Sequence, residues 1–112
     1  MNFKKTPSII VALDIPLQKA SRLVRGLEKV EDKIAAYKIS SLQVMESGLK
    51  QVVAELRLAT KLPFIYDHQK GATDIPEIVE QQVKMAADSE VNAFIGVPQG
   101  AGGKTLESFA NA

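Results

Sequence analysis

Residues 34–39 read IAAYKI, a short run that is apolar on both sides of the chain yet carries one lysine, Lys38. Three more runs share its character: Ser8–Leu13 (SIIVAL), Pro63–Tyr66 (PFIY) and Val91–Val97 (VNAFIGV). They begin 26, 29 and 28 residues apart, a spacing that suits one strand, one helix and two turns per period. Apolarity at successive positions, rather than at alternate ones, predicts parallel strands covered on both faces. The gaps between the runs carry helical periodicity. Leu17–Val30 places Leu17, Ala20, Leu23, Val24, Leu27 and Val30 on one side. Leu49–Leu58 does the same with Leu49, Val52, Val53 and Leu56. Pro76–Ala87 opens on a proline suited to a first turn and carries Ile78, Val79, Val83 and Ala86; a fourth helix begins near Lys104 or Thr105.

Strand and helix alternating four times define an α/β fold with right-handed crossovers. An open doubly wound sheet and a barrel both remain compatible with that pattern. Four units are half of a (βα)8 TIM-type barrel, which takes about 250 residues. No linker interrupts the chain, so residues 1–112 are expected to form a single domain.

Charge and composition narrow the function. Lys and Arg number 14 against 13 Asp and Glu, and the basic residues are dispersed, so no nucleic-acid partner is expected. The absence of cysteine removes disulfides, zinc-thiolate sites and thiol nucleophiles. Ile9–Leu13 is too short for a signal-peptide core, and no apolar run reaches membrane-spanning length. A soluble, cytoplasmic protein with no membrane partner is the expectation.

In α/β folds the reactive groups collect beyond the carboxyl ends of the strands. Asp14 ends the first run, and Asp67 ends the third, followed by His68, Gln69, Lys70 and Asp74. Lys38 lies inside the second run, where a buried ammonium is costly unless paired. It either snorkels to the strand end or meets carboxylates; in a sequentially ordered sheet Asp14 and Asp67 would flank it. A lysine hemmed by carboxylates stays protonated and can donate its proton. The residues 67–74 also read as a solvated loop, with Asp74 an N-cap before Pro76 worth about 1 kcal/mol. His68, the sole histidine, reads as exposed or structural, and without clustered ligands no metal site is expected. Residues 98–105, PQGAGGKT, approach the phosphate-binding G-x-x-x-x-G-K-[ST] pattern, but Pro98 replaces its first glycine and removes an amide donor.

Taken together, ALD at 12–14, YKIS at 37–40, the order Asp67, Lys70, Asp74-Ile75-Pro76, and NAFIGVPQGAGGKTLESF at 92–109 resemble orotidine 5′-phosphate decarboxylase. The resemblance runs over essentially the whole chain. It implies a (βα)8 barrel, of which this would be the N-terminal half, and a homodimer that needs no cofactor. The implied reaction takes the small-molecule nucleotide orotidine 5′-phosphate to uridine 5′-phosphate and carbon dioxide, the last step of pyrimidine nucleotide synthesis. Residue by residue, Asp14 would contact the ribose and Lys38 would join the charged network and bind a ribose hydroxyl. Asp67 would face the departing carboxylate, Lys70 would protonate the carbon left behind, and Asp74 would reach into the partner subunit's site.

The chain departs from that family in one spacing. The family pattern is Asp-x-Lys-x-x-Asp, whereas Asp67, Lys70 and Asp74 stand one residue further apart in each interval. Residues three apart on an extended strand face opposite ways, so the chain must bend after Asp67, with Gly71 suited to help. The family's phosphate-binding loops belong to the barrel's second half. Little activity is therefore expected of these residues alone, and the open sheet edges should promote association. Four other readings remain: a metal-dependent sugar-phosphate enzyme of the same barrel class, whose members carry an acid where Lys38 stands; a Schiff-base aldolase using Lys38 or Lys70; a catalytically silent assembly module; and, last, a phosphate-loop protein that binds ATP through Lys104.

Overall fold

The computed structural model describes residues 7–69, 71–98 and 102–112. Its strands are β1 (Ile9–Leu13), β2 (Ile34–Ser40), β3 (Phe64–Asp67) and β4 (Ala93–Ile95). Its helices are α1 (Leu17–Gly26), α2 (Ser41–Ser47), α3 (Leu49–Arg57), α4 (Pro76–Asp88) and α5 (Gly103–Asn111). The strands form one parallel sheet in the order β1-β2-β3-β4. Sequential order with a helix at every crossover is the half-barrel arrangement and excludes the doubly wound alternative, which reverses its strand order.

The register sorts the side chains between two faces. One face carries Leu13, Tyr37, Ile39, Phe64 and Tyr66, buried against Leu17, Ala20 and Val24 of α1 and Val52, Val53 and Leu56 of α3. Phe94 continues this face toward α5, with its ring 5.7 Å from that of Phe109. The other face carries the row Ala12–Lys38–Ile65–Ala93 and, one step nearer the carboxyl ends, Ser40–Asp67–Ile95. Here the expectation of two covered faces fails: Ile10 is 52% and Ile95 42% exposed. Unbroken apolarity does not distinguish burial under helices from the lining of a barrel interior, which other strands must complete.

Local chemistry explains where elements stop. The first helix gives way after Gly26 to a 3-10 turn over Glu28–Lys33, so the expected run to Val30 is not one α-helix. Helix α2 was absent from the periodicity reading. Its start is nevertheless written as Ser40-x-x-Gln43, a capping box in which each residue's side chain serves the other's backbone N–H. Gly48, at φ 79°, ends α2 and admits the turn into α3. After α3 the guanidinium of Arg57 donates to the carbonyls of Thr60 (3.2 Å) and Leu62 (2.8 Å) and lies 4.1 Å from the Phe64 ring centre, fixing the entry to β3. Strand β4 is shorter than its apolar run because Val97 donates its N–H to Gly71 in the preceding loop, at 2.9 Å, rather than to a strand. No helix among the described residues is long and apolar enough to cross a membrane.

Two leucines on α3 and its exit test this layering. Leu56 is fully buried and Leu58 is 77% exposed. Leu56→Ala should cost about 2–5 kcal/mol of unfolding free energy, whereas Leu58→Ala should stay within about 0.5 kcal/mol. Urea denaturation monitored by circular dichroism gives both values.

Candidate active site

The parallel register brings β2 and β3 side by side with Lys38 and Asp67 on the same, helix-free face. Ser40 stands opposite Asp67, and Lys38 one layer below, opposite Ile65. From there the Lys38 Nζ reaches Asp67 Oδ2 at 2.9 Å. Lys38 keeps 27% of its side chain exposed while Asp67 keeps 8%. The two readings of Lys38 are thus compatible, since the stem runs along the sheet and the head pairs at the strand tip. The hydrogen bond to Asp67 pushes the Lys38 pKa upward, partial burial opposes it, and the charges of Asp67 and Asp14 add to the rise. Lys38 is therefore a persistent ammonium. Asp14, exposed at the end of β1, takes part through its field rather than through an ion pair.

The two oxygens of Asp67 differ in their hydrogen bonding. Its Oδ2 accepts from Lys38 and, at 3.4 Å, from the Gln69 amide. Its Oδ1 is buried and has no hydrogen-bond partner among the described residues. A buried carboxylate oxygen without a donor costs a few kcal/mol, so this oxygen is a place for a hydrogen-bond donor.

The bend that the residue spacing demands is present. Gly71 donates its N–H to the carbonyl of His68 at 2.6 Å, turning the chain directly after β3. A Cβ on Gly71 would fall 2.0 Å from His68 Cδ2 and 2.9 Å from the His68 carbonyl oxygen, which no side chain tolerates. Beyond it Ala72, at φ 63°, donates to Gln82 Oε1 of α4 at 2.9 Å, and this anchors the loop on the helix. Lys70 lies outside the described residues. His68 belongs to the opposite face: its Nδ1 is hydrogen-bonded to the Tyr66 hydroxyl, beside Phe94. These rings floor a groove of about 690 Å³ between α3 and α4, to which Lys38 and Asp67 contribute nothing.

Asp74 stands apart. It neither hydrogen-bonds nor ion-pairs with Lys38 or Asp67; it is exposed, and its Oδ1 accepts from Ile75 N–H at 2.7 Å. It is not the N-cap of α4. Ile75 holds that position, with Pro76 in the first turn. The Asp74 carbonyl accepts from Thr105 Oγ1 at 2.9 Å, linking the start of α4 to α5. Residues 99–101 of the phosphate-loop-like motif lie outside the described residues. No group of three metal-ligating side chains occurs among those described.

Sequence reasoning overlooked Gln43 and Gln69. Gln69 carries no pattern that would have marked it, whereas the capping-box spacing to Ser40 marked Gln43.

A parallel (βα)4 sheet with an ammonium–carboxylate pair at its strand tips defines half of an α/β barrel whose polar groups lie where barrel enzymes carry out their chemistry. Among solved structures, the chain is similar to orotidine 5′-phosphate decarboxylase from Pyrococcus horikoshii OT3, with a TM-score of 0.74 and 19% identity. The match covers 92% of this chain and 47% of that one, so the chain spans about half the length of that enzyme. At that identity the likeness establishes the TIM-barrel type of fold. No family model and no curated protein matches the sequence.

Two measurements probe the site. Lys38→Met strands the Asp67 carboxylate and should cost about 1–3 kcal/mol at neutral pH. The Lys38 pKa lies above the ordinary 10.5, so the pair stabilises the fold below that value and the benefit fades as pH rises through the raised one. The gap between wild type and Lys38→Met in urea midpoint should therefore be constant from neutral pH upward and close only in strong alkali. Burial raises Tyr37 and Tyr66 as well, but they titrate in both proteins and drop out of the difference. Separately, Gly71→Ala should displace the loop and lower thermal stability, whereas Gly26→Ala should not. Gly26 closes α1 without a positive φ and has nothing within 4 Å of an added Cβ.

Proposed function

We propose that this chain carries the reacting-centre half of an orotidine 5′-phosphate decarboxylase, releasing carbon dioxide from orotidine 5′-phosphate to leave uridine 5′-phosphate. The observation that carries the reading is the 2.9 Å Lys38–Asp67 pair at the carboxyl end of a parallel barrel strand. The likeness in fold to the Pyrococcus enzyme supports it.

The chemistry is simple to balance. The bond from the pyrimidine ring to the carboxylate breaks, its electron pair stays on the ring carbon, and that carbon takes a proton from an ammonium. The carbanion is poorly delocalised, so a fixed positive charge lowers its energy before the proton moves. In this proposal Lys70 is the donor. Asp67 stands against the substrate carboxylate and is relieved of repulsion when carbon dioxide leaves. Lys38, held protonated by its bond to Asp67 and by the charge of Asp14, shares the ribose hydroxyls with Asp14. Binding energy from the phosphate, gripped by the rest of the barrel, offsets the cost of forcing two carboxylates together.

Asp74 serves the site of a second subunit in a homodimer. Its exposure, and its lack of contact with Lys38 and Asp67 in its own chain, agree with that role. No cofactor is required, and the cytoplasm is the compartment that suits nucleotide synthesis. A Schiff-base mechanism through Lys38 is disfavoured, since it needs a free amine and Asp67 holds this one protonated.

The test joins the chain to the portion of the Pyrococcus barrel that it does not cover and follows orotidine 5′-phosphate by absorbance. The joined protein should turn it over, and Lys70→Ala or Asp67→Ala should lower kcat by roughly 10²–10⁴. The chain alone should show a trace at most. Full turnover by the chain alone, or unchanged turnover in Lys70→Ala, defeats the proposal, as does a borohydride-trapped lysine adduct with a carbonyl substrate.

A further inference from the structure

Gln43 is a buried amide on α2. Its side chain is 2% exposed. Burying a carboxamide is unfavourable unless both of its ends are satisfied, and here they are. The Nε2 donates to the Ile15 carbonyl at 2.8 Å, and the Oε1 accepts from the Ser40 N–H at 3.3 Å. Both partners mark the site. Ile15 follows Asp14, and Ser40 ends the strand that carries Lys38. The β1–β2 ladder makes its last pairing at Leu13 and Ile39, so no strand register holds Asp14 against the tip of β2. The Gln43 amide spans that gap from α2.

We propose that Gln43 is a positioning residue: by tying the Ile15 carbonyl to the end of β2, it holds the Asp14 carboxylate beside the Lys38 ammonium. The proposal rests on the decarboxylase reading only for what the resulting array grips, namely the hydroxyls of a ribose. The array itself is a property of the free protein. With Gln43 in place, Lys38 is paired with Asp67 from β3 and lies within the field of Asp14 at the end of β1. Without it, the residues after Leu13 are free to swing toward solvent, and Lys38 keeps Asp67 alone. The Oε1–Ser40 N–H bond belongs to both the α2 cap and this strut, whereas the bond in which the Ser40 hydroxyl accepts from the Gln43 backbone N–H at 3.4 Å belongs to the cap alone and the Ile15 bond to the strut alone.

The experiment reads the coupling between Asp14 and Lys38 by NMR titration of the Lys38 side chain in the full chain without substrate. Asp14→Asn should shift the Lys38 midpoint downward in the wild-type background and leave it unmoved in Gln43→Met, which keeps the volume and loses both hydrogen bonds. Ser40→Ala, which weakens the cap and spares the Ile15 bond, should preserve the downward shift. A general loss of α2 stability would erase the coupling in both backgrounds, so only the strut predicts this split. An equal Asp14→Asn shift in wild type and Gln43→Met overturns the proposal. The wild type supplies a check that survives misfolding of the variant. One Gln43 amide proton should exchange slowly and show a nuclear Overhauser contact to Ile15, and rapid exchange of both overturns the strut. No step uses the nucleotide, so loss of coupling would leave the decarboxylase reading standing, and failed turnover would leave the strut standing.

Discussion

The constraint on which this protein depends is that a parallel ladder sends alternate residues to opposite faces and keeps the same parity from strand to strand. Parity places Tyr37, Ile39, Phe64 and Tyr66 under the helices and, with the same stroke, Lys38 and Asp67 on the other side. Slipping β3 by one residue against β2 would bury Asp67 among leucines and turn Tyr66 toward Lys38. The hydrophobic core therefore enforces the geometry of the ion pair. In return the ion pair makes an otherwise unfavourable lysine tolerable within a strand.

Parity also explains why the loop after β3 needs its own device. A lysine three residues beyond Asp67 cannot share its face while the chain stays extended. The His68–Gly71 turn ends the extension at once, and Gly71 is required because a side chain there would collide with His68. The turn is then held from two directions, by Gln82 of α4 on Ala72 and by Val97, beyond β4, on the Gly71 carbonyl. A loop pinned to a helix and to a neighbouring strand end loses little further entropy when a substrate arrives, which is the condition for a precise site.

Beyond the ladder, side chains take over the work of strand pairing. Arg57 closes the entry to β3, and the Asn92 side chain accepts from the Phe64 N–H at 2.9 Å to start the pairing with β4. Gln43 joins the tips of β1 and β2. Each is a polar group at a strand end, where backbone groups would otherwise be buried without partners. Arg57 and Asn92 do this at the amino ends of β3 and β4, whereas Gln43 does it at the carboxyl ends, where the candidate site lies.

Much of this was legible in the residues. Four apolar runs at near-constant spacing determined the number of βα units, because burial of a parallel strand needs a continuous apolar segment and each crossover needs one helix. Asp14, Lys38 and Asp67 stood out because charges at such strand ends are costly unless they meet. The spacing of Asp67, Lys70 and Asp74 already demanded a bend. Tertiary structure decided the rest. Periodicity cannot tell the face of a sheet under helices from one open to a barrel interior, so the exposure of Ile10 and Ile95 was invisible. Asp74 matched an N-cap position by count, yet the path through Ile75 and Pro76 points its carboxylate back to its own neighbour. The long-range bonds of Gln43 and Thr105, which join segments 28 and 31 residues apart, exist only once the strands have set their register.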